Sequence, residues 1–369
     1  MSGKEDVHTM DRVFNFAAGP STMPEEVLRT AAQEMLCYGS SGMSVMEMSH
    51  RSGMYIEIFD EACALVRELM QLPENYEVLW LQGGATGQFA SIPLNLLGEG
   101  MSADYIDSGN FAHGAYVEAQ KYGKVCCVAS SREENYRHIP RWNTADFDPN
   151  AAYFYITTNN TIFGTRYSQL PETGNVPLVA DMSSNILSEV YDASRFGVIY
   201  AGAQKNIGPA GVTLMIVRRD LLGKAQAVCP KVLDWQKLSD NSSMLNTPPT
   251  YAIYMCGLSM KWLKKQGGVA GIEKINIEKA KLLYGLLDES AFYHGTAEPG
   301  SRSRMNVCFT TPDKDTDALF VKEAAKAGLV NLKGHRLVGG IRASIYNAMP
   351  MEGVQALAEF MKKFETEHK

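Results

Sequence analysis

The chain has 369 residues, 45% of them hydrophobic and 21% charged, which is enough for one large core or two. A net charge of −6 argues against nucleic acid as the main partner, and no apolar run reaches the length that spans a bilayer. The seven cysteines are odd in number and lack a CxxC pair, so they read as reduced thiols of a cytoplasmic protein; the seven histidines show no metal-ligand spacing.

Met1 to Arg12 is polar and has no apolar signal-peptide core, so residues 1–13 read as a mobile arm. Phe14 to Pro20 is an extended opening segment closed by a Gly-Pro turn. Pro24-Glu25-Glu26 then starts a helix, with Val27, Leu28, Ala31, Ala32, Met35 and Leu36 as its apolar face. After a small-residue loop, His50 and Arg51 stand side by side, either as an anion clamp or simply at a helix start. A second helix runs from about Met54 to Met70, with Ile58, Ala62, Leu65, Val66 and Leu69 facing inward.

Strand Val78–Leu81 leads into Gln82-Gly83-Gly84-Ala85-Thr86-Gly87 and a helix expected over Phe89–Leu97. Free backbone N–H groups and a positive helix end in that order suit a phosphate, although a glycine turn made for tight packing would look the same. Further strands are expected at Ala103–Asp107, Val125–Val128, Tyr153–Thr157 and Leu178–Asp181. A helix from Ser108 to Tyr122 and a surface excursion over Ser130–Pro149 lie between them. The alternation predicts an α/β domain with a mainly parallel sheet. Gly84 to Thr86, Phe111, Thr161, Asp181 and Lys205 all follow strands, so they can converge at one sheet edge. The spacing also predicts a long helix over Tyr251–Lys265, a hinge at Gly267, Gly268 and Gly271, and a helix over Ile272–Leu287. Strands near Met305–Thr310 and Gly340–Ile345 and a helix over Val354–Phe364 complete a smaller α+β unit.

Lys205 sits in a turn of small residues between apolar segments, Val198–Tyr200 and Val212–Val217. Poor solvation there would lower the pKa of its amine and make it a nucleophile for Schiff-base chemistry; the alternative is a solvated loop lysine. Asp181 ends a short buried strand twenty-four residues upstream. An acid under a pyridinium nitrogen and a Schiff-base lysine are what pyridoxal phosphate requires, but Asp181 could equally cap the Ser-Ser-Asn that follows.

Several of these segments occur together in one family. Asn15-Phe-Ala-Ala-Gly-Pro20, Ser49-His-Arg-Ser52, Gly83-Gly84 with Gly87-Gln-Phe89, Ala180-Asp-Met-Ser-Ser184, Ala201 to Gly211, Asn246-Thr-Pro-Pro249 and Gly334-His-Arg336 with Gly339 to Ser344 are its carriers. From Asn15 onward the chain resembles the phosphoserine aminotransferases, a class V, fold-type I group of pyridoxal-phosphate enzymes. The resemblance implies a seven-stranded, mainly parallel sheet in a large domain over 14–265, in which 14–25 can pack on a small C-terminal domain over 266–369.

By resemblance, Lys205 carries the cofactor and shuttles protons, and Asp181 pairs with the ring nitrogen. Phe111 stacks on the ring and Thr161 bonds near the phenolic oxygen. Ala85, Thr86 and Gln204 hold the cofactor phosphate with Asn246 and Thr247 of the other subunit of a homodimer. Arg342 matches the α-carboxylate ligand, and His50, Arg51, His335 and Arg336 match groups around the substrate's distal anion, the last two from the partner chain. Ala85-Thr86 departs from the Gly-Arg of many relatives, whose arginine helps to bind the substrate phosphate. The implied reaction moves the amino group of L-glutamate to 3-phosphooxypyruvate, with a second activity on 3-hydroxy-4-phosphooxy-2-oxobutanoate in pyridoxine synthesis. The rivals are an alanine–glyoxylate type transaminase, a cysteine desulfurase, and a non-catalytic binder of the cofactor or of phosphometabolites.

Overall fold

The computed structural model describes residues 12–369. The arm expected over 1–13 therefore lies almost wholly outside the described residues. In chain order the first part holds β1 (Phe14–Asn15), α1 (Glu25–Gln33), α2 (Gly53–Leu69), β2 (Tyr76–Leu81), α3 (Gly84–Leu96), β3 (Ser102–Asp107), α4 (Asn110–Ala119) and β4 (Lys124–Ser130). It continues with β5 (Phe154–Thr157), a small hairpin of β6 (Asn159–Asn160) and β7 (Thr165–Arg166), then β8 (Leu178–Asp181), β9 (Val198–Gly202) and β10 (Thr213–Arg218). After these come α5 (Trp235–Asp240), α6 (Thr250–Lys265), α7 (Gly268–Glu289), β11 (His294–Gly295) and β12 (Asn306–Thr310). The chain closes with α8 (Lys314–Lys326), β13 (Leu329–Val330), β14 (Ile341–Ser344) and α9 (Met351–His368).

Seven strands form the central sheet in the order β2-β10-β9-β8-β5-β3-β4. β4, β3, β5, β8 and β9 pair in parallel, whereas β10 is antiparallel to both β9 and β2. β2 consequently runs in the same direction as β9, and its carboxyl end reaches the same edge of the sheet. Successive side chains of a strand point to opposite faces, and both faces here are apolar. Val78, Trp80, Ile106, Phe154, Ile156, Ile199 and Ile216 join one core, with α2 and α6; Leu79, Leu81, Tyr105, Tyr155, Val179, Tyr200 and Met215 join the other, with α3 and α4. Coverage on both faces is why these strands read as continuous apolar runs.

A separate core collects Phe16 with Leu283, Leu287, Phe309, Phe320, Leu357 and Phe364, around the sheet of β11, β12 and β14. Phe16 reaches it because β1 pairs in parallel with β13. α7 joins the two regions, with Val269 and Ile272 in the first core and Ala280 and Leu283 in this one. Among the described residues, no helix is long and apolar enough to cross a membrane.

Several element boundaries differ from expectation. α1 stops at Gln33, so Met35 and Leu36 fall beyond it, and Leu28 and Leu36 are exposed. α3 begins at Gly84 rather than Phe89, so the glycine turn is itself the first helical turn. α4 is shorter than expected at both ends. Gly271 lies inside α7, not in a hinge, because the left-handed Gly267 already starts that helix. The excursion after β4 turns back inward at Tyr136, whose hydroxyl donates to the buried Asp107 carboxylate at 2.9 Å.

Candidate active site

The turn after β9 presents Lys205. Its amine donates to Thr161 Oγ1 at 2.7 Å and lies 5.6 Å from the centre of the Phe111 ring. Phe111 comes from the first turn of α4, and Thr161 from the tip of the β6–β7 hairpin. The residue keeps partial exposure, yet surrounding protein strips away enough water to lower the amine's pKa to about 8. The nearby Asp181 carboxylate opposes that shift, and the Arg342 guanidinium adds to it.

Asp181 ends β8 and is almost fully buried, so desolvation raises its pKa. It accepts the Ser183 N–H at 2.9 Å. Lysine and acid thus take separate partners and face a common space without bonding each other directly. Ser183 also fixes the neighbouring strand, since its hydroxyl accepts the Gly202 N–H at 3.1 Å.

At the end of β2 the backbone turns directly into α3. Gly83 (φ 91°) turns the chain through the left-handed region that glycine adopts without steric cost. The first helical bond of α3 runs from Gly87 N–H to Gly83 O at 3.0 Å. The N–H groups of Gly84, Ala85 and Thr86 are therefore left at the positive end of the helix. Thr247 stands close by through its carbonyl, which accepts from Gln82 Nε2 at 3.4 Å, while the Asn246 and Thr247 side chains are exposed. Gln204 sits beside Lys205 and is partly buried.

Arg342, on β14, approaches from the smaller sheet and donates to the Thr161 carbonyl at 3.4 Å. His335 of the same chain is close enough for burial and the Arg342 charge to lower its pKa. Arg336 is exposed beside it. Arg51 Nε donates to His50 Nε2 at 3.3 Å, and among the described residues neither side chain bonds to the Lys205 group. The structure therefore gathers Lys205, Thr161, Phe111, Asp181 and Arg342, and leaves Arg51, Asn246 and Thr247 exposed, with His50 half-buried beside Arg51. A cleft of about 960 Å3 between α1, α7 and the turn before α9 lies apart from this group.

Sequence reasoning missed the groups that hold the lysine turn. Ser21 Oγ donates to the Lys205 carbonyl at 2.6 Å, and Ser21 N–H to that of Gln204 at 2.9 Å. The only local signal was its position just after Gly19-Pro20. Asn206 Nδ2 donates to the Ile186 carbonyl at 3.1 Å, a partner no local pattern announces.

A lysine, a buried acid, an aromatic face and a helix end at one sheet edge agree with a family-wide match: the pattern described as Aminotransferase class-V covers residues 13–357. The chain belongs to the class-V aminotransferases. It is 52% identical over 360 residues to the phosphoserine aminotransferase of Bacillus cereus, covering 98% of this chain and 100% of that protein. The solved phosphoserine aminotransferase of Bacillus circulans subsp. alkalophilus superposes with a TM-score of 0.95 at 44% identity, over 98% of this chain and 100% of that one. A pyridoxal-phosphate-bound phosphoserine aminotransferase from Trichomonas vaginalis gives 0.91 at 40% identity, over 95% and 100%.

Proposed function

We propose that this aminotransferase is a phosphoserine transaminase, moving the amino group of L-glutamate to 3-phosphooxypyruvate to give O-phospho-L-serine and 2-oxoglutarate. The observation that carries the chemistry is Lys205, with its amine held by Thr161 over the Phe111 ring and near the buried Asp181. Full-length identity of 52% to a phosphoserine aminotransferase favours the substrate.

The residues fit pyridoxal phosphate. A carboxylate for a pyridinium nitrogen, an aromatic face, an amine of lowered pKa and unpaired N–H groups at a helix end are the set this group needs. When bound, pyridoxal phosphate supplies an aldehyde for amines and a ring that accepts electrons released at the substrate Cα. In this reading Lys205 holds the cofactor and later takes the proton from the substrate Cα. Asp181 keeps a proton on the ring nitrogen, and burial strengthens that pairing by excluding water. Thr161 aims the lysine amine. Gly84, Ala85, Thr86 and Gln204 serve the phosphate.

Arg342 takes the α-carboxylate, since its planar fork suits a bidentate grip. His50, Arg51, His335 and Arg336 serve the distal phosphate or carboxylate. Arg51, Asn246 and Thr247 are exposed and His50 is half-buried, which fits a homodimer completing the site across its interface. The large cofactor-binding domain is 14–265 and the small domain 266–369. Activity on 3-hydroxy-4-phosphooxy-2-oxobutanoate and a cytoplasmic setting go with this reading, the latter supported by seven free thiols.

The test is an absorbance titration of the cofactor-loaded protein with O-phospho-L-serine, L-alanine and L-cysteine. Conversion of the cofactor band by phosphoserine alone supports the reading. Conversion by alanine but not phosphoserine would replace it with a sister transaminase.

A further inference from the structure

Lys279, which the proposed chemistry does not use, is buried against the turn that follows the Arg342 strand. It lies on α7 with no exposed surface, and its Nζ donates to the carbonyls of Ile345 at 3.0 Å, Tyr346 at 2.8 Å and Met349 at 3.0 Å. An amine has three donors only when protonated, so this cage suits the ammonium. Burial pulls the other way, lowering its pKa to about 7. Carbonyl dipoles, not a carboxylate, offset that cost.

Asn276, one helical turn earlier and also without exposed surface, donates to Asn347 Oδ1 at 2.8 Å and to the Ser188 carbonyl at 3.0 Å. Residues three apart share a helix face, so α7 grasps the 345–349 turn at two points. That turn continues directly from β14, which carries Arg342. Its other side meets the lysine turn. Asn347 N–H donates to Asn206 Oδ1 at 3.0 Å, and Tyr346 OH to the Ala18 carbonyl at 2.8 Å, next to Gly19, which packs against the Lys205 side chain.

We propose that Lys279 is a positioning residue whose ammonium fixes the 345–349 turn and thereby sets Arg342 relative to Lys205. This rests on the roles given to those two residues above. Without the ammonium, the buried Ile345 and Met349 carbonyls lose their donor while Tyr346 keeps only the Met349 N–H at 2.9 Å, and unpaired buried carbonyls favour a shift of the turn toward other donors. Arg342 and Asn206 would move with it.

Lys279→Met holoenzyme, assayed with L-glutamate and 3-phosphooxypyruvate beside wild type, tests this. The KM for L-glutamate should rise about tenfold, equivalent to ~1.4 kcal/mol, with a smaller change in kcat and an unchanged absorbance band of the bound cofactor. In Lys279→Ala, n-propylammonium replaces the missing atoms and should restore part of the KM, whereas tetramethylammonium should not. A wild-type KM in Lys279→Met would overturn the proposal. So would a loss of kcat and cofactor band in step with KM, unrelieved by n-propylammonium. If neither variant folds, Lys279→Gln, which keeps a side-chain N–H donor but no charge, takes their place; a raised KM with an unchanged cofactor band supports the proposal and an unchanged KM overturns it. Wild-type enzyme inactive on this substrate pair would instead overturn the functional reading, and the proposal with it.

Discussion

Replacing Arg342 with glutamine should weaken every amino-acid substrate by a similar factor. In the proposed reading the guanidinium grips the α-carboxylate, which L-glutamate, O-phospho-L-serine and L-alanine share. Hydrogen bonds to a charged group contribute roughly 1.5–3 kcal/mol. At about 1.4 kcal/mol per decade, that range corresponds to a rise in KM of roughly 10- to 150-fold. The Arg342 charge also helps to lower the Lys205 pKa, and its guanidinium donates to the Thr161 carbonyl at 3.4 Å, so its removal should raise that pKa. Half-reaction titrations, followed by cofactor absorbance, give the apparent affinity for each substrate. A loss confined to O-phospho-L-serine would refute the reasoning, because it would put Arg342 at the distal anion. An unchanged affinity for all three would remove it from the site.

Lys205→Ala should retain no cofactor after borohydride reduction and should not turn over; mass spectrometry of the reduced protein checks the first, and full activity would end the transaminase reading. The pH dependence of cofactor loading follows from the lysine pKa near 8, lowered first of all by burial. The neutral amine is the nucleophile, so the loading rate of apoenzyme should climb with pH, reach half its maximum near pH 8 and level off about one unit higher. A rate still climbing steeply between about pH 9 and 10 would mean that the amine is solvated and ordinary. Arg51→Gln should raise the KM for O-phospho-L-serine and L-glutamate about tenfold or more and leave L-alanine nearly unchanged. Equal losses for all three would contradict its place at the distal anion.

Residues whose chemistry is written locally were legible. Asp181 ends an apolar strand and Lys205 interrupts two, and the sheet places both at its carboxyl edge. Positions decided by tertiary surroundings were not. Glycines at Gly83 and Gly84 read as a turn before a helix, yet α3 incorporates the second of them, because the missing Cβ permits either conformation. α8 escaped notice because only Phe320 and Ala324 of its thirteen residues are buried, too thin a stripe to set a period, although Asp313 caps it by accepting from the Asp315 and Thr316 N–H groups. Lys279 is the extreme case. In an amphipathic helix it reads as one more solvated cation, and its burial comes from a turn more than sixty residues away.

The reversed strand β10 separates the strand that feeds the amino end of α3, proposed to hold the phosphate, from the strand that feeds the lysine turn. Adjacent strands lie about 4.8 Å apart, so these two strand ends are held roughly 10 Å apart by backbone hydrogen bonds alone. The sheet thus acts as a ruler graduated in strand widths. A side-chain change at Thr86 would alter how firmly an anion is held there, but it would leave the spacing of that ruler intact. In this scaffold substrate preference can drift while the span between the two binding ends stays constant.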